Sequence, residues 1–163
     1  MKKIKLLSIF AILLGGLFIF SGCTSSNVEG SLEEIMDKVY ADVYAGVADD
    51  QKPMLGRLNV STDMSDNIEY YIGTRDIEYK EIYASEPMMG SIAHSVVLVR
   101  MKEGANVKAA KEKILDTVNP RKWVCVGVEK EDVIVKNKGD LIILIMVEDK
   151  DTREKIEKGF DEL

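Results

Sequence analysis

Histidine, tryptophan and cysteine are nearly absent from this chain, which has one His, one Trp and two Cys among 163 residues. The scarcity is informative because His and Cys supply most zinc ligands and many of the bases and nucleophiles of hydrolytic enzymes. A metal site built from nitrogen and sulfur ligands is therefore not expected. His94 begins a predicted strand, and we interpret it as a structural or surface residue rather than the base of a Ser-His-Asp or Cys125-His94 arrangement.

Several catalytic motifs are missing as well. The sequence has no G-x-x-x-x-G-K phosphate loop, no G-x-S-x-G elbow, no H-E-x-x-H and no C-x-x-C. We accordingly assign no catalytic residue, no cofactor and no metal ligand, and interpret the chain as a non-enzyme. Carboxylates are plentiful, so the composition allows a catalytic pair of acids of the glycosidase type. The spacing of the acidic residues does not identify such a pair.

Positive charge is in deficit: 22 basic and 28 acidic residues give a net charge of -6. Nucleic acids and anionic headgroups reward clustered Lys and Arg, so no nucleic-acid partner is expected. The first acidic residue is Glu29, and Lys2, Lys3 and Lys5 precede it. Removing residues 1–22 would remove three lysines and no acid, which takes the net charge to -9.

The first 23 residues have the order of an export signal. A basic start is followed by an apolar run over 6–20 and by the small residues Ser21 and Gly22. At about 1.5 Å per residue, this run would make a helix of roughly 22 Å, shorter than the roughly 30 Å hydrocarbon core of a bilayer. A cleaved signal peptide is therefore favoured over a permanent span.

Residues 20–23 resemble the lipobox of bacterial prolipoproteins, which has an aliphatic residue, two small residues and an acylated Cys. Ser21, Gly22 and Cys23 match this pattern, whereas Phe20 stands at the aliphatic position. The resemblance implies cleavage before Cys23, lipid on its thiol, and a location on the extracytoplasmic face of the cell membrane. The alternative is an uncleaved anchor helix with an incidental Cys, which also places the domain outside the cell.

The chain then divides into a signal peptide (1–22), the lipidated Cys with a flexible polar tether (23–30), and one globular domain (31–163). Lipid on Cys23 would leave Cys125 alone, so no disulfide within the chain is expected. Because Cys125 lies in the apolar run 123–126, we expect a buried structural thiol. A reactive or intermolecular thiol is the alternative.

The first part of the domain begins with an amphipathic helix. Ser31 and Glu34 form a capping box, and apolar residues follow at helical spacing up to Val47. The stretch 48–67 has no clear period and is predicted to be a loop, with at most a short helical turn. Tyr- and Ile-rich segments at 68–72 and 78–84 then predict two strands joined by a turn near Gly73.

The remainder repeats one pattern of strand, strand and helix. In the first unit, a strand over 94–101 follows the strand over 78–84, and a helix is predicted over 107–118. In the second unit, strands over 132–136 and 141–147 flank a turn at 136–139, and a helix starts near Asp151 with Glu154 completing its cap. Together these elements predict an α+β fold, with helices packed on an antiparallel sheet.

Three further features admit a functional interpretation beside a structural one. The tyrosines Tyr70, Tyr71, Tyr79 and Tyr83 could stack on sugars or a partner, although core or edge packing is favoured. Met88-Met89 could bind copper(I), although packing within a loop is favoured. The acidic run 148–151 could offer oxygens to calcium, but capping of the last helix is favoured.

Three segments carry a family resemblance: 67–73, 121–126 (Arg-Lys-Trp-Val-Cys-Val) and 139–146. They are similar to domains of unknown function found in small lipoproteins of Gram-positive anaerobic bacteria, over most of residues 31–163. The matching residues are apolar and positional. The resemblance implies an envelope lipoprotein and brings no activity, ligand or site residue with it.

The sequence thus predicts a non-catalytic binding or accessory module of the cell envelope. Its expected partners are the membrane, through lipid on Cys23, and an envelope protein or ligand that the sequence does not identify. Two rivals stay open: a small envelope enzyme using carboxylates or Cys125, and a solute-binding lipoprotein of a transporter. Alkylation of Cys125 would test the first, and a thermal-shift screen of sugars, amino acids and metals would test the second.

Overall fold

The structure, a computed structural model, describes residues 27–163. An antiparallel sheet of five strands, in the order β1-β2-β3-β5-β4, forms its centre. Helices pack around this sheet, so the α+β class predicted from the sequence is confirmed. The strands are β1 (Leu55–Asn59), β2 (Tyr79–Pro87), β3 (His94–Met101), β4 (Ile134–Lys138) and β5 (Leu141–Val147).

The two central strands are those with continuous apolar runs. Every residue of β5 is buried, and seven of the eight residues of β3 are buried. Such runs suit a strand covered on both faces. His94 pairs with Val147 and Arg100 with Leu141, so the register extends over nearly the whole length of both strands. The bounds 94–101 and 141–147 match the sequence prediction.

One face of the sheet is covered by α1 (Leu32–Tyr40) and α5 (Lys150–Asp161). The predicted capping box is present: the Ser31 hydroxyl accepts from the Glu34 amide, and the Glu34 carboxylate accepts from the Ser31 amide. The Asp149 side chain caps α5 through the Thr152 amide, so this cap lies two residues before the predicted Asp151. The buried side chains of α1 and α5 pack on those of β3 and β5. The core on this face includes Leu32, Ile35, Met36, Val39, Val96, Leu98, Ile143, Ile145, Ile156 and Phe160.

The other face is covered by α2 (Val60–Asp63), α3 (Ile68–Ile72) and α4 (Val107–Thr117). Because α4 and α5 lie on opposite faces, the two strand-strand-helix units are alike in order but differ in packing. In the second unit, β4 begins and ends two residues later than predicted, and the turn is Gly139-Asp140 rather than 136–139. Gly139 has φ +54°, a backbone conformation that glycine adopts at little cost.

Three sequence predictions in the first half of the domain are wrong. The first helix ends at Tyr40 rather than near Val47. The segment 48–67, predicted to be a loop with at most a short helical turn, contains such a turn as α2 but also the edge strand β1, whose Gly, Arg and Asn residues weaken the strand pattern. Residues 68–72, predicted to be a strand, form α3. Ile68, Tyr71 and Ile72 are buried at helical spacing, and Gly73 ends the helix with φ +77°. Packing therefore overrides the strand preference of these aromatic and β-branched residues.

We call the two ends of the sheet the proximal end and the distal end. At the proximal end, β3 finishes at Met101 and β5 begins at Leu141. At the distal end, β2 finishes at Pro87 and β3 begins at His94. Within residues 27–163, no helix has the length and apolar character needed to cross a membrane.

Gly159 sets the distance between α1 and α5. A Cβ atom added there would lie 2.4 Å from the carbonyl oxygen of Val39. Alanine in place of glycine ordinarily stabilises a helix interior by about 1 kcal/mol. We expect Gly159→Ala to destabilise the protein instead, by about 1 to 3 kcal/mol, because the helices must move apart. Urea unfolding measures the change, and a stabilised variant would contradict this close packing.

Candidate functional site

The chain enters the folded domain at the proximal end. The Arg100 guanidinium, near the end of β3, donates to the carbonyl oxygens of Val28 at 2.7 Å and Gly30 at 3.1 Å. Asn27 lies against Gly139 in the β4–β5 turn, where a Cβ on Gly139 would be 2.5 Å from the Asn27 side-chain oxygen. The segment that follows the proposed lipid site is therefore held at this end. Cys23 itself, with the predicted signal peptide, lies outside the described part of the chain.

Exposed apolar side chains gather at the opposite, distal end. Six large apolar residues are exposed within residues 27–163, and five of them lie there; the sixth, Leu115, is 37% exposed on α4. We call the five the distal patch: Met54 (61% exposed), Tyr70 (47%), Met88 (68%), Met89 (55%) and Val124 (67%). A concentration of this kind is typical of an interaction surface, whereas single exposed apolar residues are ordinary.

Three hydrogen bonds join the segments that form the distal patch, two of them between backbone groups and one from a side chain. The Met88 amide donates to the Met54 carbonyl at 2.9 Å, and the Val124 amide donates to the Gly90 carbonyl at 2.8 Å. The Lys122 ammonium donates to the Tyr70 carbonyl at 3.4 Å. Four separate parts of the sequence therefore form one continuous surface.

Cys125 is exposed, so the prediction of a buried thiol is wrong. It lies in the loop 119–128 with φ +61°, the one positive φ at a non-glycine residue among those described. The apolar run forms no strand: Trp123 is buried in the core and Val126 packs against it, while Val124 and Cys125 are exposed. The sequence pattern did not reveal that Val124 and Cys125 point away from the core.

The predictions for the methionines and tyrosines have mixed outcomes. Met88 and Met89 are exposed rather than packed within their loop. Tyr71 and Tyr83 are buried, in agreement with the favoured core packing, but Tyr70 is about half exposed in the distal patch. The acidic run 148–151 caps α5 through Asp149, as favoured.

Beneath the distal patch lies a buried polar cluster formed by Glu86, Ser95 and Lys122. The Lys122 ammonium donates to the Glu86 carboxylate at 2.8 Å and to the Ser95 hydroxyl at 3.2 Å, and the Ser95 hydroxyl donates to Glu86. The Lys122 side chain is 2% exposed and that of Glu86 is 11% exposed. This ion pair ties the loop 119–128 to β2 and β3.

Aromatic rings surround the same ammonium. Its nitrogen lies 4.4 Å from the ring centre of Tyr70, 5.4 Å from that of Trp123 and 5.5 Å from that of Tyr71. Burial raises the pKa of Glu86, an effect that Lys122 and the Ser95 hydroxyl partly oppose. Burial likewise lowers the pKa of Lys122, and Glu86 opposes that shift. Each charge therefore depends on the other to remain ionised inside the protein.

A serine hydroxyl beside a lysine could in principle act as a nucleophile and its base. Two observations favour a structural role for this pair. Ser95 is fully buried, so its hydroxyl is not open to a substrate. Lys122 is ion-paired with Glu86, which favours its protonated form and so opposes its action as a base.

Sequence reasoning missed this cluster because its members are far apart in the chain. Glu86 and Ser95 are separated by 9 residues, and Lys122 is 36 residues from Glu86. The available signal was a polar residue near the end of each of two strands, at positions that face the same side of the sheet. That signal marks buried polar groups without identifying their partner.

His94 forms a second buried polar contact, on the α1 face. Its Nε2 lies 2.7 Å from the Tyr40 hydroxyl, and its ring is 3% exposed. Burial lowers the pKa of His94 to about 4. Burial raises the pKa of Tyr40, so both groups are neutral at pH 7. The interpretation of His94 as a satisfied structural residue agrees with this geometry.

The pKa of His94 predicts acid sensitivity. Since the folded pKa lies below the ordinary value of 6.5, the neutral ring favours folding above pH 6.5, and this contribution is lost as the pH falls toward 4. The loss is of order 3 kcal/mol. Urea unfolding at pH 7 and pH 4.5 measures how much stability is lost between the two pH values. This loss should be smaller for His94→Gln than for the unmodified protein, because glutamine does not titrate. An equal loss in both proteins would contradict the assignment.

An acidic groove continues the distal patch onto the α1–α5 face. It has a volume of about 540 Å³. Its walls include Pro53, next to Met54 in sequence, and Ser91, two residues after Met89. We call it the distal groove; its acidic lining residues are Glu148, Asp149 and Asp151.

One cation, Lys155, lines this groove together with the acids, and its ammonium donates to the Val43 carbonyl at 3.4 Å. Glu148 and Asp151 are exposed. The nearby Lys150 turns to Glu154 at 3.6 Å, and Lys52 turns to Asp49 at 2.7 Å. Within the described part of the chain, no three His, Cys, Asp or Glu residues are placed to hold a metal ion. The three acidic lining residues outnumber Lys155, so the distal groove presents a net negative charge beside an apolar surface.

Comparison of the chain with known protein families, curated proteins and solved structures gave no match. The resemblance to small lipoproteins therefore stays a prediction from the sequence.

Proposed function

We propose that the protein is an extracytoplasmic lipoprotein, anchored through lipid on Cys23, that binds another protein of the cell envelope without catalysing a reaction. The order of basic, apolar and small residues before Cys23 supports the anchor. The surface expected to bind the partner is the distal patch. Labelling with palmitate tests the anchor, and crosslinking tests the binding surface.

The observation that carries the proposal is the position of the distal patch relative to the chain entry. Only residues 24–26 separate Cys23 from Asn27, so the two Cα atoms are at most roughly 14 Å apart. Arg100 holds residues 28–30 at the proximal end. The eight residues of β3 then add roughly 25 Å between the two ends of the sheet. With this anchor, the distal patch faces away from the membrane and toward other envelope components.

A binding role is favoured over catalysis by the state of the polar groups near the patch. Glu86, Ser95 and Lys122 bond to one another beneath the surface. Five large apolar side chains reach the surface above them. Methionine and aromatic side chains at a surface are typical of protein contacts, since they adapt to a partner and bury a large area.

The anchor is tested by growing cells that express the full chain with labelled palmitate. We expect label in the protein and loss of residues 1–22, and neither in Cys23→Ser. A protein that keeps Met1 and takes up no label would refute the anchor.

The binding surface is tested with a photo-crosslinking residue at position 88 in one protein and at position 115 in another. Both positions are exposed and apolar, but only position 88 lies in the distal patch. We expect a discrete crosslinked species from position 88 on intact cells, weakened by a second substitution, Val124→Glu. Equal crosslinking from position 115, or no effect of Val124→Glu, would count against the patch.

A further inference from the structure

We infer that the partner segment seated on the distal patch and distal groove is a cationic amphipathic peptide, with apolar side chains on one side and Lys or Arg on the other. The inference rests on the proposed function, since it names the chemistry of the partner of that same surface. It is carried by the continuity of an apolar area with an acidic groove.

The apolar half of the match is the distal patch. Its three methionines have flexible, polarisable side chains that adapt to different apolar shapes. Tyr70 and Val124 complete the same surface beside them. Surfaces of this kind commonly receive the apolar face of an amphipathic segment.

The charged half of the match is the distal groove. Glu148, Asp149 and Asp151 lie on one wall, and Asp50 is exposed nearby, next to the lining residue Gln51. The Asp149 side chain is engaged as the cap of α5. This leaves Asp50, Glu148 and Asp151 to attract cations of a partner.

Two other occupants fit this surface less well. An anionic membrane would be repelled by the acids and, with the anchor proposed above, would lie at the other end of the domain. A second copy anchored in the same membrane would have to place its own distal end against the distal end of the first copy. The chain entries of the two copies would then point in different directions, although both must reach the same membrane. Both are outcomes that the experiment can reveal.

The test uses the full chain in zwitterionic nanodiscs and three fluorescent peptides of equal length. The first places Leu on one helical face and Lys on the other; the second replaces Lys by Glu; the third has the composition of the first in scrambled order. Binding is measured by anisotropy, with empty nanodiscs subtracted. We expect the Leu/Lys peptide to bind at least about tenfold more tightly than the other two, since both halves of the surface must match.

Variants of the protein separate the two contributions. Met88→Gln, which removes the apolar contact without adding charge, should weaken binding of the Leu/Lys peptide at least about tenfold, whereas Leu115→Gln should have little effect. The triple variant Asp50→Asn, Glu148→Gln, Asp151→Asn should weaken it by a similar factor. Its matched control is Glu78→Gln, Glu103→Gln, Asp116→Asn, which removes the same charge from exposed acids elsewhere. The binding of the unmodified protein should also weaken as salt rises.

Several results would overturn the inference. Equal binding of the Glu and Lys peptides, or equal effects of the two triple variants, would remove the basis for a cationic partner. Dimerisation that Met88→Gln abolishes would assign the surface to a second copy, and attachment to anionic vesicles through this surface would assign it to lipid. If crosslinking at position 88 still succeeds, the proposed function stands while this inference fails.

Discussion

Lys122→Met is expected to destabilise the protein by about 3 to 5 kcal/mol, the usual result of removing one partner of a buried ion pair. The substitution keeps a long unbranched side chain and removes the ammonium. Glu86, whose carboxyl side chain is 11% exposed, then has no cation beside it. Urea unfolding of both proteins at pH 8 measures the difference, and a loss below about 1 kcal/mol would show that the pair is not buried in solution.

A double variant separates the effect of the unpaired Glu86 charge from the effect of the changed side-chain shape at position 122. In Lys122→Met with Glu86→Gln, the amide retains a partner for the Ser95 hydroxyl and no charge is buried. We expect this protein to recover most of the lost stability, because removing both members of a buried pair costs much less than removing one. If the double variant is as unstable as Lys122→Met, the ammonium contributes through its contacts with Tyr70, Tyr71 and Trp123 rather than through Glu86.

The penalty should also depend on pH. Burial already raises the pKa of Glu86 above its ordinary 4.5, and Lys122 opposes this rise, so the variant should have a still higher pKa. A raised carboxyl pKa means that the folded state favours the protonated acid. The associated stability is present below pH 4.5 and is lost as the pH rises through the folded value. The difference between the variant and the parent protein should therefore be smaller near pH 4.5 than at pH 8.

The central strands of the sheet were predictable from the sequence because one interaction, burial of apolar side chains, decides their structure. The strands β3 and β5 are continuous apolar runs between turn signals, and burial on both faces is the one arrangement that suits them. The capping box before α1 is equally local, since its donors and acceptors lie within four residues. The signal peptide and Cys23 stay predictions from the sequence.

The candidate site was less predictable because it depends on which segments meet. Residues 68–72 have the composition of a strand, yet they form α3, where burial of Tyr71 and Ile72 at helical spacing decides the outcome. Likewise, Val124 and Cys125 are apolar by type and exposed by position, because the loop 119–128 is held by Lys122 at one point and by the Gly90 carbonyl at another. No pattern within the loop itself indicates either contact.

Gly73 ends α3 and lies against the end of α4, and Gly73→Ala is expected to lower the free energy of unfolding by about 2 to 5 kcal/mol. The residue has φ +77°, which costs a residue with a Cβ about 1 to 2 kcal/mol. In addition, a Cβ there would lie 2.4 Å from the Val118 nitrogen and 2.5 Å from the Thr117 carbonyl carbon, so α3 and the end of α4 must separate. Overpacking of this kind adds about 1 to 3 kcal/mol.

Gly104→Ala is the matched control, because Gly104 has φ +78° but its Cβ would meet no atom within 4 Å. It should lose only the conformational part, about 1 to 2 kcal/mol. Urea unfolding of the two variants therefore separates backbone strain from close packing at one and the same φ. Equal losses would mean that α3 does not pack against the end of α4 as described. Since α3 places Tyr70 over Lys122, that result would also remove the support for this side of the distal patch.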